Sequence, residues 1–259
     1  MKLSYPEVRR LCLKPDEARK PLYPRVITHA VSTRLIWVLQ DAPLTANQIT
    51  FLSMLTAFAA LPFFAGLSSR SALIGALVIE LYYVFDAMDG QWARLKRQGS
   101  ITGAFFDYLI NYAFHPPLLF AIGWGVYKTN GDPLYLVLGA SAGFACLWVL
   151  LIWNVRAAIL LPHVLARKGA AFAKPAEERS ERLSSAKWLF SWLHKLLVFP
   201  WFMHVLSAAS VLSFATGLAT DIFSYFLLYY GLVGPAVAVI LTAQWIFTKR
   251  LDNSPELQP

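Results

Sequence analysis

Six apolar runs constrain this chain more than any other feature. They cover approximately 49–67, 72–95, 101–127, 134–162, 196–219 and 222–247. A helix needs about 20 apolar residues to cross a bilayer. Lipid satisfies no backbone hydrogen bond, so only helices and closed barrels span it. Runs of this length predict helices. Charge supports the same conclusion: 57% of the 259 residues are hydrophobic and 15% are charged, where a soluble domain carries about 25% charged residues. The sequence predicts an all-α integral membrane protein with six transmembrane helices.

A further helix is expected ahead of the first span. In the stretch 25–40, Val26, Ile27, Ala30, Val31, Leu35 and Val38 recur at helical spacing among Arg25, His29 and Arg34. That pattern suits an N-terminal amphipathic helix lying on the membrane surface. The expected division is 1–44 for the leader and surface helix, 45–250 for the six-helix transmembrane domain, and 251–259 for a tail. The first 25 residues are charged and broken by proline, unlike a cleavable signal. Connection 4–5, with Trp188 and Trp192, suggests a second surface helix or a solvated loop. Cys12 reads as a residue of the polar leader and Cys146 as apolar filler, with neither a disulfide nor a zinc site implied.

Lysine and arginine alternate between connections. Eight lie in the leader through Arg34, three in connection 2–3 and seven in connection 4–5, but one each in connections 1–2 and 3–4 and none in 5–6. Positive residues mark the cytoplasmic side. Both termini and connections 2–3 and 4–5 are therefore expected in the cytoplasm, in a cell inner or plasma membrane. Orientation accounts for the net charge of +8 better than nucleic-acid binding does, and no nucleic-acid partner is expected.

Against that background, Asp86, Asp89 and Asp107 stand out, because carboxylates at membrane depth are costly and usually functional. Asp86 and Asp89 are three apart and share a helix face. Gly90, Ala93 and Arg94 follow on the same stripe. Gly103 precedes Asp107 by one turn, and Asn111 follows it by one. Two antiparallel helices would bring these stripes together beside the Arg94–Ser100 connection. Carboxylate oxygens suit Mg²⁺, Mn²⁺ or Ca²⁺, and several together can hold two divalent ions around a phosphoryl group. Gly90, Ala93 and Gly103 leave room near the backbone for a pyrophosphate and base. Arg94 offers a cationic fork.

The spacing resembles the signature of the CDP-alcohol phosphotransferase (CDP-alcohol phosphatidyltransferase) family, Asp-x2-Asp-Gly-x2-Ala-Arg-x8-Gly-x3-Asp-x3-Asp. Seven of its eight positions match: Asp86, Asp89, Gly90, Ala93, Arg94, Gly103 and Asp107. Asn111 replaces the last aspartate. The resemblance implies six membrane helices after a surface helix, and a homodimer. It implies transfer of a phosphoalcohol from a CDP-alcohol donor to an alcohol acceptor, at least one of them a lipid, with release of CMP in phospholipid synthesis. Asp86, Asp89 and Asp107 would be ligands to two divalent ions, Mg²⁺ or Mn²⁺, with Ca²⁺ a non-productive substitute. Gly90 and Arg94 would contact the CDP moiety, with Ala93, Gly103 and Ser100 lining its pocket. Asn47 and Thr50 would approach the nucleotide, although Thr45 or Asn47 also suits a helix cap. The small-residue runs Gly139–Gly143 and Ser207–Ser210 suit close helix packing, within the chain or in the dimer.

Asn111 stands where the family's catalytic base is expected, next to Asp107 in the site. An amide accepts no proton and holds no metal by charge. Three readings stay open: an engineered substrate trap; a natural variant in which a metal-bound hydroxide or His115 takes the proton; and a catalytically silent CDP-lipid binder. Arg156, late in the fourth span, reads either as an acceptor-binding cation or as a snorkelling interface residue. An ion-coupled transporter is the rival class, but such proteins show internal repeats and this chain shows none.

Overall fold

The computed structural model describes residues 2–14, 28–167 and 201–247. All regular elements among them are helical. They are α1 (Tyr5–Cys12), α2 (His29–Leu39), α3 (Ala46–Ala59), α4 (Leu61–Gly66), α5 (Ser69–Lys96), α6 (Ile101–Asn130), α7 (Leu134–Arg167), α8 (Trp201–Thr216), α9 (Ala219–Leu228), a π-helical turn (Tyr229–Val233) and α10 (Gly234–Phe247). The expected surface helix of connection 4–5 and the tail lie outside the described residues.

Four stretches are long and apolar enough to cross a membrane: Ala46–Gly66, Ser69–Lys96, Leu134–Ile152 and Ala219–Gln244. Six were expected. α6 has ample length at 30 residues, but Asp107, Asn111, His115 and the Pro116–Pro117 pair dilute its apolarity. α8 has 16 residues, and the run in which it lies begins outside the described part. The exposed faces of the spans carry large apolar side chains such as Phe51, Leu77, Val137, Phe144 and Val239, a pattern suited to lipid rather than water.

The chain divides into two compact units, Met1–Phe114 with Ser213–Ala219, and His115–Leu212 with Thr220–Pro259. In the first, α5 is the central post: α1, α2, α3 and α4 all pack on it. Thr45 starts α3 with a capping box, its hydroxyl accepting from the Gln48 amide at 3.2 Å while Gln48 Oε1 accepts from the Thr45 amide at 2.9 Å. The cap is therefore Thr45, not Asn47. Pro62 marks the short α4, and Ser68 caps the start of α5. α5 stops at Arg97, which takes the left-handed conformation at φ 55°. There the Gln98 amide reaches back to the Ala93 carbonyl at 2.9 Å, the closing bond of a Schellman turn.

The leader forms α1 where the sequence predicts a charged segment broken by proline. Glu7 caps it, accepting from the Ser4 amide at 2.8 Å and the Ser4 hydroxyl at 2.6 Å. Cys12 is fully buried with Val8 in a cluster that includes Ile36, Ile49, Met88 and Trp92, which corrects its assignment to a polar surface. α2 is helical as expected, yet its protein-facing side is largely polar. Ser32, Thr33 and Ile36 are buried, whereas Val31, Val38 and Leu39 are exposed.

In the second unit the small-residue run Gly139–Gly143 packs α7 on α6. A Cβ on Gly123 would stand 2.5 Å from the Tyr135 carbonyl, and one on Gly139 would stand 2.8 Å from the Leu119 carbonyl. Of the two uses the sequence left open for this run, the chain's own packing takes it.

Candidate functional site

The site lies in the first unit, where α3, α5 and the first half of α6 meet. Aromatic packing seats α6 there. The Phe114 ring is 5.4 Å from Tyr82 on α5 and 6.0 Å from Phe58 on α3, centroid to centroid. Phe114 and Tyr82 are fully buried. Leaving α5 at Arg97 and re-entering at Ile101, the chain presents Asp107 to the stripe that carries Asp86 and Asp89. Asp86 and Asp89 lie one turn apart on α5, and Asp107 lies on the first half of α6, which packs on α5 through Phe114 and Tyr82.

Each acid has a different setting. The Thr50 hydroxyl lies 2.7 Å from Asp89 Oδ2 and 3.1 Å from the Ala46 carbonyl. A hydroxyl has one proton to give, and the shorter contact is to the carboxylate. Asp107 is exposed. The Asn111 amide nitrogen donates toward the Asp107 carbonyl at 2.9 Å and toward its Oδ1 at 3.3 Å. An aspartate at position 111 would lack that donor and would face Asp107 with like charge.

Of the remaining expected residues, Gly90, Asn47, Ser100 and Gly103 fall beside these helices, and Ala93, Arg156 and His115 do not. A Cβ on Gly90 would meet only the Arg94 Nη1, at 3.5 Å, so space is open above that turn of α5. Asn47 Oδ1 and Ser100 Oγ each lie 3.2 Å from where a Cβ on Gly103 would stand, which groups Asn47, Ser100 and Gly103. Ser100 also caps α6, accepting from the Gly103 amide at 3.0 Å. Ala93 packs partly buried against the α1 cluster. Arg156 belongs to α7, with its side chain outside the described residues. His115 is buried and sits edge-on to Phe202, 5.8 Å between centroids, which is the setting of a packed core histidine.

The donor set fits a hard divalent cation: carboxylate oxygens with a hydroxyl at hydrogen-bond distance. Three like charges beside a span also call for positive charge to offset them. Even so, among the described residues no three His, Cys, Asp or Glu side chains stand close enough together to hold a metal ion.

Two features were missed at the sequence level. Arg94 Nε donates to the Cys12 carbonyl at 2.6 Å, tying the site to α1. Gln91, fully buried beside Gly90, accepts from Ser32 at 3.0 Å and Thr33 at 3.3 Å, and its amide nitrogen lies 3.0 Å from His29 Nδ1. The Ser4–Glu7 capping pair was the available signal for α1. For Gln91 the signal was a buried-type position filled by an amide.

Comparison with known families identifies this arrangement. The family model described as CDP-alcohol phosphatidyltransferase covers residues 43–248, most of the chain and every motif position. No curated protein matches the chain.

Proposed function

The chain belongs to the CDP-alcohol phosphatidyltransferase family, and on that premise we propose that it binds a CDP-alcohol at the α3–α5–α6 site as a membrane transferase. The family moves a phosphoalcohol from a CDP-alcohol to an acceptor in phospholipid synthesis. The observation that carries the reading is the contact of Thr50 with Asp89 at 2.7 Å, on the turn of α5 where Arg94 Nη1 lies over Gly90, with Asp86 one turn before and Asp107 on the packed half of α6. A divalent ion bound by these carboxylates supplies charge neutralisation for a pyrophosphate. Arg94 presents its Nη fork to the donor's phosphates, and Gly90 leaves them room. Asn47, Thr50 and Ser100 border the nucleotide side. Arg156 is the candidate acceptor cation. In the reaction, the acceptor oxygen bonds to the phosphorus distal to cytidine, the bond to the CMP oxygen breaks, and the hydroxyl proton passes to a base. The lysine and arginine pattern supports a cytoplasmic opening for the site.

Asn111 favours a second reading, a CDP-lipid binder without turnover, because its amide donates to Asp107 where the family has a carboxylate. One experiment separates the two. Purified full-length chain and its Asn111→Asp variant are incubated with Mg²⁺ and a panel of CDP-alcohols and acceptors, and CMP release is followed. Release that appears or rises at least tenfold in Asn111→Asp supports the transferase. CDP-alcohol binding with no CMP from either protein supports the silent binder. No binding and no release in both removes the reading.

A further inference from the structure

Resting on the reading that Arg94 engages the donor's phosphates, we propose that α1 is a positioning element of the donor site, fixing the Arg94 guanidinium through the Cys12 carbonyl so that binding of a nucleoside diphosphate depends on α1 staying docked. α1 lies outside the residues that the family model matches, 43–248.

The bond is well placed to orient a planar group. Arg94 Nε is held at 2.6 Å by the Cys12 carbonyl, at the carbonyl end of α1, where a helix favours a cation. Fixing Nε fixes the plane of the fork. Nη1 then lies over Gly90, 3.5 Å from where a Cβ would stand, on the open side of the site. Without α1, the same side chain has no described carbonyl to brace it.

α1 cannot hold this position by itself, since eight residues are too few for a stable isolated helix. Docking is built from both ends. Gln40 Oε1 accepts from the Leu3 amide at 2.8 Å, and Gln40 Nε2 and Trp37 Nε1 donate to the Leu3 carbonyl at 3.2 Å each. Val8 and Cys12 are fully buried against Ile36, Met88 and Trp92. Cys12 also reports on docking: burial pushes its thiol up to about 11, so the docked residue resists alkylation near neutral pH.

The test uses full-length protein in detergent, with CDP plus Mg²⁺ as the probe in calorimetry and iodoacetamide labelling of the Cys12 peptide read by mass spectrometry. Val8→Asp is expected to expose Cys12 to labelling and weaken CDP binding roughly tenfold, the scale of one lost hydrogen bond to a charged group. Arg94→Ala is expected to weaken binding at least as much, and the double variant no further than Arg94→Ala alone. If Val8→Asp does not fold, Gln40→Ala, which removes both Gln40 bonds to Leu3, carries the same readouts. Labelled Cys12 with unchanged CDP affinity, or losses that multiply in the double variant, overturns the proposal while leaving the donor reading intact. Wild-type CDP affinity in Arg94→Ala overturns both.

Discussion

Thr50 shows how little of the site a single residue type reveals. On the sequence it reads, with Asn47, as a residue that approaches the nucleotide through the family resemblance. In the fold its hydroxyl is 2.7 Å from Asp89, a contact across 39 residues. Such outer partners orient a ligand for its metal. Thr50→Val is therefore expected to lower Mn²⁺ affinity about tenfold with little change in melting temperature. A calorimetric titration checks this, and an unchanged affinity would detach Thr50 from the proposed metal role. Tyr82 is the opposite case. Its ring is fully buried, and its hydroxyl has no hydrogen-bond partner among the described residues. An unmet buried hydroxyl costs roughly 1–3 kcal/mol. Tyr82→Phe keeps the packing on Phe114 and should stabilise the protein by about 1 kcal/mol, visible as a raised midpoint in thermal unfolding. The motif acids were legible because a 3.6-residue period decides which positions share a face. Their surroundings were not. The contacts of Thr50, Arg94 and Gln91 all span more than 35 residues, and no local pattern encodes them.

At the scale of elements, helix ends and close approaches carry the testable content. Arg97 ends α5 in a left-handed conformation that disfavours side chains by roughly 1–2 kcal/mol. Arg97→Gly should relieve most of that and stabilise by about 1 kcal/mol, measured by denaturant unfolding in mixed micelles. Gly123→Ala should do the reverse. The added methyl would meet the Tyr135 carbonyl at 2.5 Å, forcing α6 and α7 apart at a cost of about 1–3 kcal/mol, seen in the same assay. Two helices resisted reading from sequence for different reasons. α1 is short and dense in charge, so its two buried residues produced no visible stripe. α2 was read as a helix, but its inward and outward faces are assigned by the polar network with Gln91, and hydropathy does not distinguish lipid from protein interior.

For the whole molecule, the apolar runs foretold a helical membrane chain, and four spans together with the family match bear that out in its coarse form. The count of six rested on runs of unequal apolarity. α5 spans despite Asp86 and Asp89, whereas α6 falls short because Asp107, Asn111, His115 and the proline pair share one helix. The proposed orientation is checked by fusing GFP to the carboxyl terminus. Strong fluorescence in cells is expected, and a dark, translocated fusion would invert the assignment.

The inverted dressing of α2 has a practical use. Its attachment rests on Ser32, Thr33 and Ile36 facing Gln91 and the α1 cluster, so Val31, Val38 and Leu39 are spared from folding duty. Those three outward positions are a neutral mounting rail. An environment-sensitive dye placed there would report whether that face of α2 meets lipid or water, without disturbing the bonds to Gln91 that hold the helix.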